Sequence, residues 1–109
     1  MPGTTGDLLE LKADLLRALA QPTRLRIFEA LGSGERCVGE ICRQIQQDQP
    51  TVSRHLGLLR RSGLLVARKQ GLKVVYRIAD GEVMRILEEV QEVLERQLRR
   101  RSSLPRRSG

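Results

Sequence analysis

The stretch DQPTVSRHLGLLRRSGLLVARKQGLKVVYRI, residues 48–78, contains the pattern that decides the fold. Asp48 stands before a proline-containing first turn, which is typical of a helix N-terminus. The helix that follows is predicted to end at Gly63. Its apolar positions recur at helical spacing and would form one buried stripe: Val52, Leu56 and Leu59.

Beyond Gly63 the hydrophobic period changes from that of a helix to that of a strand. Residues 65–69 and 73–78 are rich in β-branched side chains, and Val74, Tyr76 and Ile78 fall at alternate positions of the second run. Gly71 lies between the two runs and can adopt the positive φ that a tight hairpin turn needs. The second half of the stretch therefore predicts a β-hairpin with basic residues near its tip.

The sequence predicts three helices before this stretch and one after it. Leucines at helical spacing place the first helix at about 7–19, and the second starts at Pro22 or Thr23 and closes at Gly32 and Gly34. The third spans about 37–46. The last follows Asp80, with a stripe of apolar residues at Val83, Ile86, Leu87, Val90, Val93, Leu94 and Leu98.

This order, α-α-α-α-β-β-α, is that of a mainly α (α+β) winged helix-turn-helix. We expect a flexible N-terminus at 1–6, a winged helix DNA-binding and dimerisation domain at 7–98, and a disordered basic tail at 99–109. A chain of 109 residues buries a small core, and its two long apolar stripes favour a homodimer.

The net charge of +7 is concentrated in two segments of the chain. Residues 43–79 contain eight basic side chains against Asp48 alone, and residues 96–109 contain six arginines and no acid. Such segments favour a polyanionic partner, most often nucleic acid. The sequence has neither a membrane-length apolar run nor a signal-peptide pattern, so we expect a cytoplasmic protein without a membrane partner.

On a helical wheel the fourth helix is amphipathic in a way that suits DNA. Arg54 and Arg61 point away from the apolar stripe, and Thr51 lies beside them. An outward arginine near a helix N-terminus can pair with guanine in the major groove. At the hairpin, basic side chains would neutralise phosphate: Arg68, Lys69 and Lys73. The alternative is an ordinary solvated basic face.

The segments QPTRLRIFEALGSGERCVGEI (21–41) and QQDQPTVSRHLGLLRRSGLLVARKQGLKVVYRI (46–78) resemble the ArsR/SmtB family of bacterial transcriptional repressors. The resemblance implies a homodimer built from the first and last helices, an inverted-repeat operator in double-stranded DNA and release by an inducer. It also implies that the fourth helix contacts DNA through Gln49, Thr51, Ser53, Arg54 and His55. By its position on the wheel alone, His55 lies on a flank, where a half-buried structural histidine is typical.

Two cysteines are the candidates for the inducer site. The family's arsenic sensors carry a Cys-Val-Cys run with a further Cys at the start of the third helix; here Cys37 and Cys42 match, and Gly39 replaces the middle thiol. In a regular helix, five positions correspond to about 140° of rotation and roughly 7.5 Å of rise, so shared ligation requires unwinding. Cys37 is predicted to be a reachable thiolate at the helix N-terminus, and Cys42 a small core residue.

No cofactor is required by this interpretation, but As(III), Sb(III) or another thiophilic ion could bind the cysteines. The family's other metal site, zinc on the last helix, would need Asp80, Glu82, Val93 and Arg96, and the last two cannot serve. Two alternatives stay open: a repressor that senses oxidants or reactive sulfur, and a constitutive nucleic-acid-binding protein without inducer. An enzyme is disfavoured, because His55 is the only candidate base and lies in the proposed DNA helix.

Overall fold

The computed structural model describes residues 4–103, which form five helices and a three-stranded antiparallel sheet. The described elements are α1 (Thr4–Leu19), α2 (Pro22–Leu31), β1 (Arg36–Cys37), α3 (Val38–Ile45), α4 (Gln49–Arg61), β2 (Leu65–Gln70), β3 (Lys73–Ile78) and α5 (Glu82–Ser103). The predicted winged helix-turn-helix is confirmed, with one short strand added to its order. None of the described helices is long and apolar enough to cross a membrane.

The helix boundaries follow from side chains that satisfy the first backbone N–H groups. Gln21 caps α2 by accepting a hydrogen bond from Arg24 N at 2.9 Å, and Pro22 occupies the first turn. Asp48 caps α4 by accepting from Thr51 N at 3.1 Å. Asp80 accepts from Glu82 N at 2.9 Å, at the predicted start of α5.

The sheet has the strand order β1-β3-β2, so β3 is its central strand. The hairpin pairs Leu65 with Ile78 at its base and Gln70 with Lys73 at its tip, where Gly71 has φ +65°. Strand β1 is the element that the sequence did not predict, because two residues cannot show a period. It pairs Arg36 with Tyr76 and Cys37 with Val75, so Cys37 belongs to a strand and precedes α3.

The core lies where α2, α3 and α4 meet the base of the hairpin. Its largest fully buried side chains are Phe28, Ile27, Ile41, Leu56, Leu59, Leu65 and Val52. The predicted stripe of α4 is thus the central part of the core. Tyr76 packs against the core cluster at its edge and is only partly buried.

The two outer helices extend further than predicted. α1 begins at Thr4 and α5 continues to Ser103, so residues 4–6 and 99–103 are helical, whereas flexible and disordered segments were expected. Acidic Asp7 in the first turn of α1 and Arg100 and Arg101 in the last turn of α5 complement the helix dipole. Residues 1–3 and 104–109 lie outside the described residues, and the limits of the domain itself, 7–98, stay a prediction.

Candidate nucleic-acid interface

Helix α4 separates a buried face from a polar face, as its sequence predicts. Val52, Leu56 and Leu59 are fully buried. Gln49, Ser53 and Arg54 are exposed, and Thr51 is half-buried beside them. The N-terminal half of α4 therefore exposes an amide, a hydroxyl and a guanidinium, and Arg54 points away from the buried stripe.

The start of α4 is fixed by a double contact between Thr51 and Asp48. Thr51 Oγ1 donates to Asp48 Oδ1 at 2.9 Å, in addition to the backbone hydrogen bond to Oδ2. These hydrogen bonds, with a smaller contribution from the charge of Arg54, lower the pKa of Asp48. The Thr51 hydroxyl is thus engaged in the cap, while its neighbours Ser53 and Arg54 lie exposed.

His55 is not exposed with these residues. It is 8% exposed, and its Nδ1 accepts a hydrogen bond from Arg24 Nε at 3.1 Å. Burial and the positive charges of Arg24 and Arg54 lower the pKa of His55. The flank position on the wheel indicated this burial, but the partner Arg24 lies 31 positions away and left no signal in the local pattern.

The predicted basic side chains of the hairpin fall into two classes. Lys69 and Lys73 are exposed beside the turn. Arg68 instead forms a bidentate ion pair with Glu35, with Nη2–Oε1 at 2.7 Å and Nε–Oε2 at 3.0 Å. This contact lowers the pKa of Glu35 and ties the hairpin to the segment before β1, a link that sequence analysis missed.

The two cysteines meet the prediction differently. Cys37, expected to be reachable, is 8% exposed, because its pairing with Val75 makes it part of the sheet. Cys42, expected to be a small core residue, is partly buried on α3 and packs against the core. Both are free thiols. The backbone N–H of Cys37 donates to Glu40 Oε1 at 2.9 Å, which lowers the pKa of Glu40 and closes the first turn of α3.

A surface depression connects Cys37 with the polar face of α4. It is lined by Cys37, Val38, Gly39, Arg43, Gln49, Lys73 and Val74. Two predicted DNA contacts, Gln49 and Lys73, therefore share one surface with one predicted inducer ligand. Within residues 4–103, no group of three or more His, Cys, Asp or Glu side chains could hold a metal ion.

Comparison with known proteins places this architecture among bacterial regulators. Residues 21–66 match the model of the family described as bacterial regulatory protein, arsR family. The solution structure of a homodimeric winged helix-turn-helix DNA-binding domain from Mycobacterium bovis, itself described as a possible ArsR-family transcriptional regulator, aligns with a TM-score of 0.78. It is 36% identical, and the alignment covers 90% of this chain and 94% of that one. The chain belongs to the ArsR family.

Curated relatives of this ArsR-family protein carry repressor names. The HTH-type transcriptional repressor SmtB of Mycobacterium tuberculosis is 37% identical over 81 residues, 74% of this chain. The arsenical resistance operon repressor of Escherichia coli is 50% identical over 70 residues, 63% of this chain. In each case the matched part spans 60% of the relative's length. These relatives are transcriptional regulators, in agreement with the prediction that the chain is not an enzyme.

Proposed function

We propose that this ArsR-family protein is a transcriptional repressor that binds double-stranded DNA through α4. The observation that carries the proposal is that α4 has a fully buried apolar stripe and exposed polar side chains in its N-terminal half, at Gln49, Ser53 and Arg54. A helix of this kind fits the major groove, where base edges present a distinct pattern of donors and acceptors. The repressor names of two relatives support the same function.

Each exposed side chain has a role that its chemistry allows. The Arg54 guanidinium can donate two parallel hydrogen bonds to guanine O6 and N7. Gln49 and Ser53 can contact a base edge or a phosphate oxygen. Lys69 and Lys73 at the hairpin tip supply charge for phosphate without sequence preference.

The proposed functional unit is a homodimer. Exposed leucines line α1 (Leu8, Leu9, Leu11 and Leu16), and exposed apolar residues line α5 (Ile86, Val90, Val93, Leu94 and Leu98). Burying both stripes against a second copy removes them from water. Two copies related by a two-fold axis would present two α4 helices to an inverted-repeat operator, with half-sites about 34 Å apart.

The replacement Arg54→Ala tests this proposal. Because Arg54 lies on the exposed side of α4, its truncation should leave the folded structure intact and cost about 1–3 kcal/mol of operator binding per half-site. Arg60→Ala removes the same charge from an exposed position at the other end of α4 and is the matched control. Lys73→Ala should weaken binding to all sequences. It should also reduce the slope of log affinity against log salt concentration by about one unit. Wild-type operator affinity in Arg54→Ala would exclude α4 as the recognition helix.

For the inducer, we propose a trivalent arsenical or antimonial that exchanges its oxygen ligands for the thiolates of Cys37 and Cys42. The arsenical resistance name of the 50% identical relative supports this class of ligand, as does the affinity of soft ions for thiolates. Shared ligation by Cys37 and Cys42 requires the first turn of α3 to unwind. Because Cys37 is paired with Val75, that movement would displace β1 from β3, the central strand of the sheet. Since Gln49 and Lys73 line the same depression as Cys37, the displacement would reach the DNA contacts directly.

A repressor of the same fold that senses oxidants is the alternative inducer class. Intact mass spectrometry separates the two classes: a bound arsenical adds its own mass, whereas peroxide adds oxygen or removes two hydrogens when a disulfide forms. Release of the operator by peroxide but not by arsenite would overturn the arsenical proposal and leave the repressor proposal standing.

A further inference from the structure

Arg24 forms a junction between three helices. Its Nη1 donates to the carbonyl oxygen of Ala18 near the end of α1 at 3.2 Å, and its Nε donates to His55 Nδ1 in α4 at 3.1 Å. Its own backbone N–H is held by the Gln21 side chain at the start of α2. One guanidinium on α2 thus links a backbone carbonyl of α1 to a side chain of α4.

A second contact from the same turn of α2 reaches the residue just before the N-cap of α4. Thr23 is buried, and its Oγ1 donates to Gln47 Oε1 at 3.0 Å. Gln47 directly precedes Asp48, the N-cap of α4. The first turn of α2 therefore holds α4 at two points, before its first residue and at its middle.

We propose that Arg24 and His55 are positioning residues for DNA recognition, which fix α4 against α1 and α2, and that His55 does not contact DNA. This inference rests on the proposed function of α4. The imidazole is buried, whereas Ser53 and Arg54, its immediate predecessors, are exposed. Because α1 is part of the proposed dimer interface, Arg24 also couples that interface to the recognition helix.

His55 is either a positioning residue or a DNA contact, and protonation of its ring should change DNA affinity in opposite directions in the two cases. With Nδ1 as acceptor, the neutral ring carries its proton on Nε2; a protonated ring has no acceptor left for Arg24. Two positively charged groups act on the ring, Arg24 from α2 and Arg54 from α4. From α1, the junction includes the backbone carbonyl of Ala18, which accepts a hydrogen bond from Arg24. Protonation therefore breaks the hydrogen bond between Arg24 and His55 and adds a positive charge that Arg24 and Arg54 repel. A histidine that contacted phosphate would instead bind DNA more tightly when protonated.

The chain's single histidine makes the ring directly observable. We expect ¹⁵N NMR of the DNA-free protein to show the Nε2–H tautomer of His55 in the wild type. Arg24→Ala should perturb the Nδ1 resonance, and Arg26→Ala, which removes an exposed arginine of the same helix, should not. An Nδ1–H tautomer in the wild type, or an Nδ1 resonance that Arg24→Ala leaves unmoved, would overturn the inference whatever the protein binds.

Operator affinity supplies the functional readout. Arg24→Ala should weaken specific binding by about tenfold, the effect of one charge-assisted hydrogen bond, and Arg26→Ala by less. His55→Asn keeps an acceptor at the position of Nδ1 and should retain most of the affinity that His55→Leu loses. Wild-type affinity should fall as the pH is lowered from about 7.5 to about 5.5, relative to the His55→Asn variant. A rise in relative affinity over that range would identify His55 as a DNA contact and overturn the inference.

Discussion

At the scale of single residues, the two thiols differ in what surrounds them. Cys37 is buried in the sheet and lines the depression that it shares with Gln49 and Lys73, and Cys42 is partly buried on α3 against the core. We predict that Cys37→Ser binds the operator but is not released by arsenite at concentrations that release the wild type. Cys42→Ser should still be released but need more arsenite, because it keeps Cys37, the thiol paired with the central strand, and loses only the second ligand. Fluorescence anisotropy of labelled operator measures both, and normal release of both variants would show that the cysteines are structural.

At this scale the sequence predicts a residue's exposure where that exposure depends on its own helix. The wheel placed Arg54 opposite the buried stripe of α4, and Arg54 is exposed, but it placed Ser53 and His55 alike on the flanks, and only Ser53 is exposed. It could not find the partners of His55 and Arg68, because Arg24 and Glu35 lie 31 and 33 positions away and the pairing arises only when the elements pack. For the same reason it misjudged the exposure of Cys37, which depends on a strand pairing.

At the scale of elements, the Glu35–Arg68 ion pair links the hairpin to the turn before β1. We predict that Glu35→Gln increases affinity for non-specific DNA and steepens its salt dependence by about one unit, because it frees Arg68 for phosphate. Stability should change little, since the pair is exposed. Glu29→Gln, an exposed acid on α2, is the control; equal effects of the two replacements would refute a specific release of Arg68.

The same ion pair has a defined pH dependence. The pKa of Glu35 in the folded protein is lowered, so the contribution of the pair to stability is present above the ordinary carboxyl pKa of 4.5 and is lost as the pH falls through the lowered value. The effect of Glu35→Gln on DNA binding should therefore be constant at neutral pH. Titrations at two neutral pH values check this, and a difference between them would point to another group.

Elements with local boundary signals were predicted closely. Asp48 and Gly71 mark the start of α4 and the hairpin turn, and both lie where the sequence placed them. β1 was missed because its two residues form a strand only through β3. The extended ends of α1 and α5 were missed because helix propensity continues there without an apolar face that packs within the chain.

At the scale of the whole molecule, α5 is the least supported element within a single copy. Every described side chain from Glu88 to Ser102 is exposed, including Val93 and Leu94. An isolated helix is marginal in water, so this segment needs a partner surface. We predict that Val93→Asn shifts the protein toward monomer and weakens operator binding, as measured by sedimentation velocity.

Glu95→Asn is the matched control for that dimer prediction. It places the same side chain about 200° around α5 from Val93, away from the apolar surface formed with Ile86 and Val90. A wild-type protein that sediments as a stable monomer at micromolar concentration would remove the two-half-site geometry altogether.

The pairing of Arg36 with Tyr76 has a practical, optical consequence. The chain contains one tyrosine and no tryptophan, so its tyrosine emission comes from a single ring. That ring is partly buried on β3, opposite the two-residue strand that contains Cys37. Movement of β1 away from β3 would change the solvation of the phenol and hence its quantum yield. An inducer that displaces β1, as proposed, should therefore change the tyrosine emission of the unmodified protein, which can be measured without a dye or DNA.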